Sequence, residues 1–211
     1  MKEIREKLSK LSSMEYLIHI PNKYNGSLPM ILFLHGVGER GNRIDDIKKY
    51  ALPKYINKLE VPYIVISPQC HKPYFWDYHL RDVEQIIKEV SKKYNGDKNR
   101  ICIMGSSMGA FGAWNYIMQR PDLFKCIVSV SGGAMLPIYD TIGLIKNKSI
   151  LIYHGNNDSI VDVNKSIEIH NILKEQNAKD VELKIIEGET HFLSSHAFKD
   201  SYIFEWLDKR I

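Results

Sequence analysis

A chain of 211 residues, 44% hydrophobic and 26% charged, has the make-up of an ordinary globular protein that can bury a core, and its length favours a single α/β domain, 1–211. Its 29 basic and 25 acidic side chains leave a formal charge of only +4, which argues against a nucleic-acid partner. The 3 cysteines, Cys70, Cys102 and Cys126, have no CxxC spacing, so neither a disulfide framework nor a structural zinc site is expected.

The N-terminal stretch "MKEIREKLSKLSSMEYLIHIP" is charged throughout and has no signal-peptide core. No apolar run approaches the roughly 18 residues of a membrane span, so a cytoplasmic location without membrane contact is expected. Strands are predicted at 14–21 ("MEYLIHIP"), at 30–36 ("MILFLHG") and at 63–69 ("YIVISPQ"), the last ended by Pro68. The next segment sets Leu80, Val83, Ile86, Ile87, Val90 and Tyr94 on one helical face, and Lys88, Lys92 and Lys93 read as solvated there. "RICIMG" is a buried strand, and "MGAFGAWNYIMQR" a helix stopping before Pro121. "KCIVSVSGG" and "SILIYHG" are further buried strands; Cys102 and Cys126 fall in such runs and read as core thiols. An amphipathic helix ("VNKSIEIHNILKEQNA"), a strand ("VELKIIEG") and a helix ("FKDSYIFEWLDKRI") close the chain. Apolar strands each followed by a helix predict a mostly parallel sheet covered on both faces, with ligands beyond the carboxyl ends of its strands.

The stretch "ICIMGSSMGAFG" (101–112) sets two serines between glycines, and only Ser107 is central to a G-x-S-x-G pattern, since Met104 and Met108 flank Ser106 at the positions that would need glycine. A serine on a sharp strand-to-helix turn sits in strained backbone and is lifted above the sheet, with a helix N-terminus aimed at it. The context here, strand then helix, is the one that mechanism requires. The bland reading is a glycine-rich turn with no chemistry.

A serine hydroxyl needs a base, and in such a fold the acid and the histidine follow the serine along the chain. The loop after "SILIYHG" offers Asp158 and Asp162; Asp158 lies in the loop itself, whereas Asp162 suits the start of the next helix. Asp140 is a third candidate. His191 follows the strand-ending Gly188 by three residues and is preferred to His196, which reads as the start of the last helix. His154 ends a strand and reads as structural; His19, His71, His79 and His170 are unsuited by position, and no clustering predicts a metal or a cofactor. Ser107 is then the nucleophile, His191 the base and Asp158 its orienting partner. The oxyanion hole is expected from the N–H of Met108 and that of Val37 in "VGERG" (37–41), with Glu39 and Arg40 holding that loop in shape.

These segments in this order resemble the α/β-hydrolases: "FLHGVGERG", "SPQC" before an aromatic stretch, "NRICIMGSSMGAFGAWNYIMQRPDLFKCIVSVSGG", "HGNNDSIVDV" and "GETHF". The similarity runs from about Met14 to the end and points to the lidless branch of small carboxylesterases, feruloyl-type esterases and depolymerase-like proteins. It implies a capless α/β-hydrolase fold and ester hydrolysis through Ser107, Asp158 and His191, with Val37 and Met108 as oxyanion donors. "FLSSHAF" lacks the Asp-Ser-Trp stretch many relatives carry after the histidine, so substrate preference does not transfer.

The expected substrate is a small or carbohydrate-linked ester of acetyl or feruloyl type, taken by a monomer or homodimer. Trp76, in the aromatic stretch 72–79, and Phe192, beside the base, are the candidates for substrate contact; the alternative is that the aromatic stretch pins its loop to the body. A thioesterase or lysophospholipase-like hydrolase would use the same residues, a compact serine peptidase is a third reading, and a binding protein without turnover is a fourth.

Overall fold

In a computed structural model, which describes residues 1–8, 12–135, 141–199 and 201–211, the apolar runs become strands of one sheet. They are β1 (Lys2–Lys7), β2 (Glu15–Ile20), β3 (Leu28–Leu34), β4 (Ile64–Pro68), β5 (Gly96–Ser106), β6 (Cys126–Val130), β7 (Ser149–Gly155) and β8 (Asp180–Ile186). Their order is β1-β2-β4-β3-β5-β6-β7-β8. From β4 onward neighbours are parallel, while β1 and β2 join antiparallel at one edge.

The helices are α1 (Ala51–Tyr55), α2 (Leu80–Tyr94), α3 (Met108–Gln119), α4 (Asn164–Glu175), α5 (Ser194–Ala197) and α6 (Ser201–Asp208). Side chains alternate across a strand, so β3 sends Leu32 and Leu34 to one face and Ile31 and Phe33 to the other. The first face packs against Val83, Ile86, Ile87 and Val90 of α2, Trp114 and Ile117 of α3, and Ile169 and Leu173 of α4. The second is covered by Leu52 of α1 and by Ile203, Phe204 and Trp206 of α6. Cys102 and Cys126 face each other across β5 and β6 as buried free thiols. No cap is inserted among the described residues.

One strand was not expected. β1 reads KEIREK, with Ile4 its only apolar residue. Its edges are occupied by charge: Glu3 takes Lys48 Nζ at 3.1 Å, Arg5 donates to Asp45 at 2.6 Å, and Glu6 takes the Tyr94 hydroxyl at 2.7 Å. A charged edge strand is a common protection against pairing with other chains.

The order fixes where a ligand can sit. β3 lies between β4 and β5, so the connections leaving β3 and β5 diverge to opposite sides of the sheet. That divergence opens a crevice at the carboxyl ends of the strands.

Candidate active site

β5 delivers Ser107 to that crevice. Ser107 adopts φ 54° and ψ −120°, a conformation costly for any residue with a Cβ, by about 1–3 kcal/mol. The turn is held by the Ser107 N–H donating to Val130 O at 3.0 Å, while Ser107 O accepts from Ala110 N at 2.9 Å. It closes tightly only because a Cβ at Gly105 would run into the Gly109 backbone, and one at Gly109 into the Leu34 carbonyl. Ser106, by contrast, is the last residue of β5 and only 5% exposed.

The loop after β8 brings His191 over the serine, with Nε2 2.8 Å from Ser107 Oγ and Nδ1 2.8 Å from Asp158 Oδ2. Asp158 comes from the loop after β7, and its side chain is fully buried. Its Oδ1 accepts the N–H groups of Ile160 and Val161, each at 2.9 Å. Burial alone would raise this carboxyl, but the bonds from Val161, His191 and Ile160 outweigh it and hold the group below its ordinary value. An ionised Asp158 can only accept, so His191 Nδ1 carries a proton and Nε2 is left to take one from serine. Asp162 instead accepts the Asn164 N–H at 2.9 Å at the start of α4, and His196 turns away to Glu189 Oε1 at 3.0 Å. Asp140 lies outside the described residues.

The loop expected to supply an oxyanion donor follows β3 as a short helical turn, Val37–Glu39. Among the described residues, neither the Val37 N–H nor the Met108 N–H has a hydrogen-bond partner. Glu39 shapes the turn from below: it is 4% exposed, and its Oε2 accepts the Gly36 N–H at 2.9 Å. Burial pushes its carboxyl up to about 8, against the opposing pull of the Gly36 N–H and Lys49. Arg40 staples this loop to the aromatic one, donating to Pro73 O at 3.2 Å and Tyr74 O at 3.0 Å, with its guanidinium 4.6 Å from the Phe75 ring centroid. His35 was not singled out in the sequence, yet it ties the ends of β3 and β4 together. Its Nε2 accepts the Cys70 N–H at 3.0 Å, which leaves Nδ1 to donate to Gly36 O at 2.7 Å, and burial drives its pKa down to about 4. It stays neutral and acts as a latch.

A cleft of about 490 Å³ opens beside Ser107, walled by Phe75, Trp76, Tyr78, Met108, Phe111 and Met135, with Asp77 at its edge. Trp76 is only 1% exposed, donates its indole N–H to His35 O at 3.0 Å and packs on Gly112. It forms the floor, so it offers no open face for stacking. The open rings are Phe75, 47% exposed, and Tyr78, 73% exposed. Phe192 stands 65% exposed beside His191, outside the lining of the cleft.

A sequence model of the phospholipase/carboxylesterase family matches residues 76–207, from the cleft floor through Ser107, Asp158 and His191. The chain belongs to this family. Its fold is that of the α/β-hydrolases. Among solved structures, a thermostable esterase superposes with a TM-score of 0.84 at 26% identity, over 99% of this chain. The present chain spans 62% of that esterase's length. Est1E from Butyrivibrio proteoclasticus matches with a TM-score of 0.71 and 13% identity, over 98% of this chain and 96% of its own. The acylaminoacyl peptidase from Pyrococcus horikoshii matches with a TM-score of 0.74 and 16% identity, over 99% of this chain and 41% of its own. At such identities the last two share the fold. Comparison with curated proteins found no match. Among the described residues no helix is long and apolar enough to cross a membrane, and no group of side chains could hold a metal ion.

Proposed function

We propose that this family member is a serine carboxylesterase, a single α/β-hydrolase domain that cleaves small neutral esters, including carbohydrate-linked acyl esters, through an acyl-enzyme. The observation that carries the reading is the unbroken chain from Ser107 Oγ through His191 to Asp158, with both contacts at 2.8 Å, at the edge of an apolar cleft. Ser107 Oγ attacks the ester carbonyl as His191 Nε2 takes its proton; His191 then returns the proton to the departing alcohol, and water repeats the sequence to release the acid. Such acid–base help is worth about 10²–10⁴ in rate. The negative oxygen of the tetrahedral intermediate is met by the N–H groups of Val37 and Met108, each worth about 3–4 kcal/mol.

The lining of the cleft bears on the substrate. Among the described residues it carries Asp77 and no Lys or Arg, so an anionic group there would meet a like charge and no partner among them. Phe75, Phe111 and Met135 suit a compact apolar or aromatic group, and about 490 Å³ lies in the range for small-molecule pockets. No cap is inserted among the described residues, which suits soluble or polymer-attached esters better than long acyl chains.

The test is intact-mass labelling with a fluorophosphonate, followed by rates on p-nitrophenyl acetate, butyrate and palmitate, methyl ferulate and an acyl thioester. One adduct is expected, retained in Ser106→Ala and lost in Ser107→Ala, with acetate, butyrate or ferulate turned over faster than palmitate. Labelling that survives in Ser107→Ala would remove the proposed nucleophile. Faster turnover of the thioester or palmitate would replace the substrate assignment.

The pH profile should carry a second signature. Glu39 is neutral below about 8 and ionises above it, placing a buried negative charge in the turn that carries Val37, where the oxyanion must form. We expect kcat/KM to fall above about pH 8 in the wild type and to stay level in Glu39→Gln. An identical fall in both would clear Glu39. Stability has its own sign: the folded state holds the Glu39 proton more tightly than the unfolded chain. This contribution is therefore fully present below pH 4.5 and lost as pH rises to about 8, a loss that Glu39→Gln lacks.

A further inference from the structure

Asp158 serves two histidines. His154, at the end of β7, has no exposed side-chain surface. Its Nε2 lies 3.1 Å from Asp158 Oδ2, the oxygen that also receives His191 Nδ1, and 3.0 Å from Val161 O. Both neighbours are acceptors, so Nε2 carries a proton. On the far side, Nδ1 lies 2.7 Å from Ser166 Oγ in α4, itself 3.2 Å from Gly132 O. The Ser166 proton has two places to go. It serves Nδ1 when the ring is neutral, or Gly132 O when Nδ1 is itself protonated and donates to Oγ. In both arrangements Nε2 keeps its proton and donates it to Asp158.

Resting on the esterase reading above, we propose that His154 is a positioning residue of the reaction: as a second imidazole donor on Asp158 Oδ2, it aims the carboxylate and weakens its hold on the proton-bearing form of His191. The geometry gives both effects. With two N–H groups on Oδ1 and two imidazoles on Oδ2, the carboxylate is clamped through four donors from three segments and cannot swing away when His191 becomes charged. A second donor on Oδ2 also withdraws negative charge from the oxygen that stabilises imidazolium, which lowers the basicity of His191. The titratable groups facing His154 are Asp158 from its own loop and, across that carboxylate, His191 from the loop after β8. α4 presents the Ser166 hydroxyl, and the segment after β6 presents the Gly132 carbonyl. A continuous hydrogen-bonded path thus runs from α4 through Ser166, His154, Asp158 and His191 to Ser107.

The test compares His154→Phe, which keeps an aromatic ring and removes both ring nitrogens, with His154→Gln, which keeps a donor. In His154→Phe the acidic limb of the kcat profile should move up by about half a pH unit or more, with kcat lower by about tenfold and KM little changed. His154→Gln should restore the limb towards its wild-type position. An unmoved limb in a folded His154→Phe enzyme would overturn the proposal, whatever its melting temperature. Should His154→Phe fail to fold, NMR of the wild-type protein labelled with ¹⁵N-histidine decides. The His154 Nε2 proton resonance should shift with the same midpoint as the His191 Nδ1 resonance, and a resonance indifferent to that titration would overturn the coupling. The NMR readout needs no substrate, so it separates failure of this proposal from failure of the esterase reading.

Discussion

Ser107→Ala should lower kcat by about 10⁶-fold, to a residue of catalysis supplied by the oxyanion donors and substrate binding alone. The substitution removes one oxygen and nothing else that the fold uses. The turn is held by backbone bonds, Ser107 N–H to Val130 O at 3.0 Å and Ala110 N–H to Ser107 O at 2.9 Å, and alanine makes both. Melting temperature should therefore change little, and the double loss in Ser107→Ala with His191→Ala should hardly exceed either single loss, because the pair acts as a unit. A companion change separates chemistry from strain. At φ 54° and ψ −120° a Cβ is penalised, so Ser107→Gly should be equally inactive yet relieve the strain, a gain of about 1 kcal/mol after glycine's extra freedom in the unfolded chain is offset. Measured by urea unfolding, Ser107→Gly would be at least as stable as Ser107→Ala. Residual turnover near the wild-type level in either variant would move the nucleophile elsewhere.

The parallel sheet was legible because buried parallel strands are continuous apolar runs, and those at β3, β5, β6 and β7 stand out against the charged segments between them. Chain order and loop position led to the proposed Ser107, Asp158 and His191, and β5, β7 and β8, which end at the same rim of the sheet, bring the three side chains into contact. β1 was illegible for the converse reason. Its charges pair with partners about 40 to nearly 90 positions away, Lys48, Asp45 and Tyr94, and nothing local distinguishes them from a solvated tail. The same limit hid the second partner of Asp158: His154 is four residues away in sequence, but its other face is set by Ser166 and Gly132, which only the packing of α4 brings in. Trp76 shows that an aromatic cluster does not announce which ring faces solvent. Gly112 leaves room on α3 for that indole, and the His35 carbonyl takes its N–H, so the largest ring went inward and Phe75 and Tyr78 stayed out.

Gly109→Ala is the substitution expected to cost most in stability, more than about 4 kcal/mol, and to leave little folded protein. The added methyl would overlap the carbonyl of Leu34 and approach that of His35 at 2.8 Å. Both are backbone atoms at the buried end of β3, so no side chain can rotate aside. Relief requires α3 to lift off the sheet, which parts Ala110, Ala113 and Trp114 from contacts in which each is fully buried. Gly38→Ala is the control: a Cβ there meets nothing within 4 Å, and its unfolding midpoint should match the wild type within about 0.5 kcal/mol. If Gly109→Ala unfolds within about 1 kcal/mol of the wild type, the helix has slack that the packing does not show. The close approach has a catalytic consequence as well. It is what sets the first turn of α3, with the Met108 N–H, against the end of β3, with the Val37 N–H. A helix lifted by even part of an ångström would separate the two donors proposed to share one oxygen. Any Gly109→Ala protein that does fold should therefore label slowly with the fluorophosphonate although Ser107, His191 and Asp158 are all present, and a wild-type labelling rate would show that the two donors do not depend on this contact.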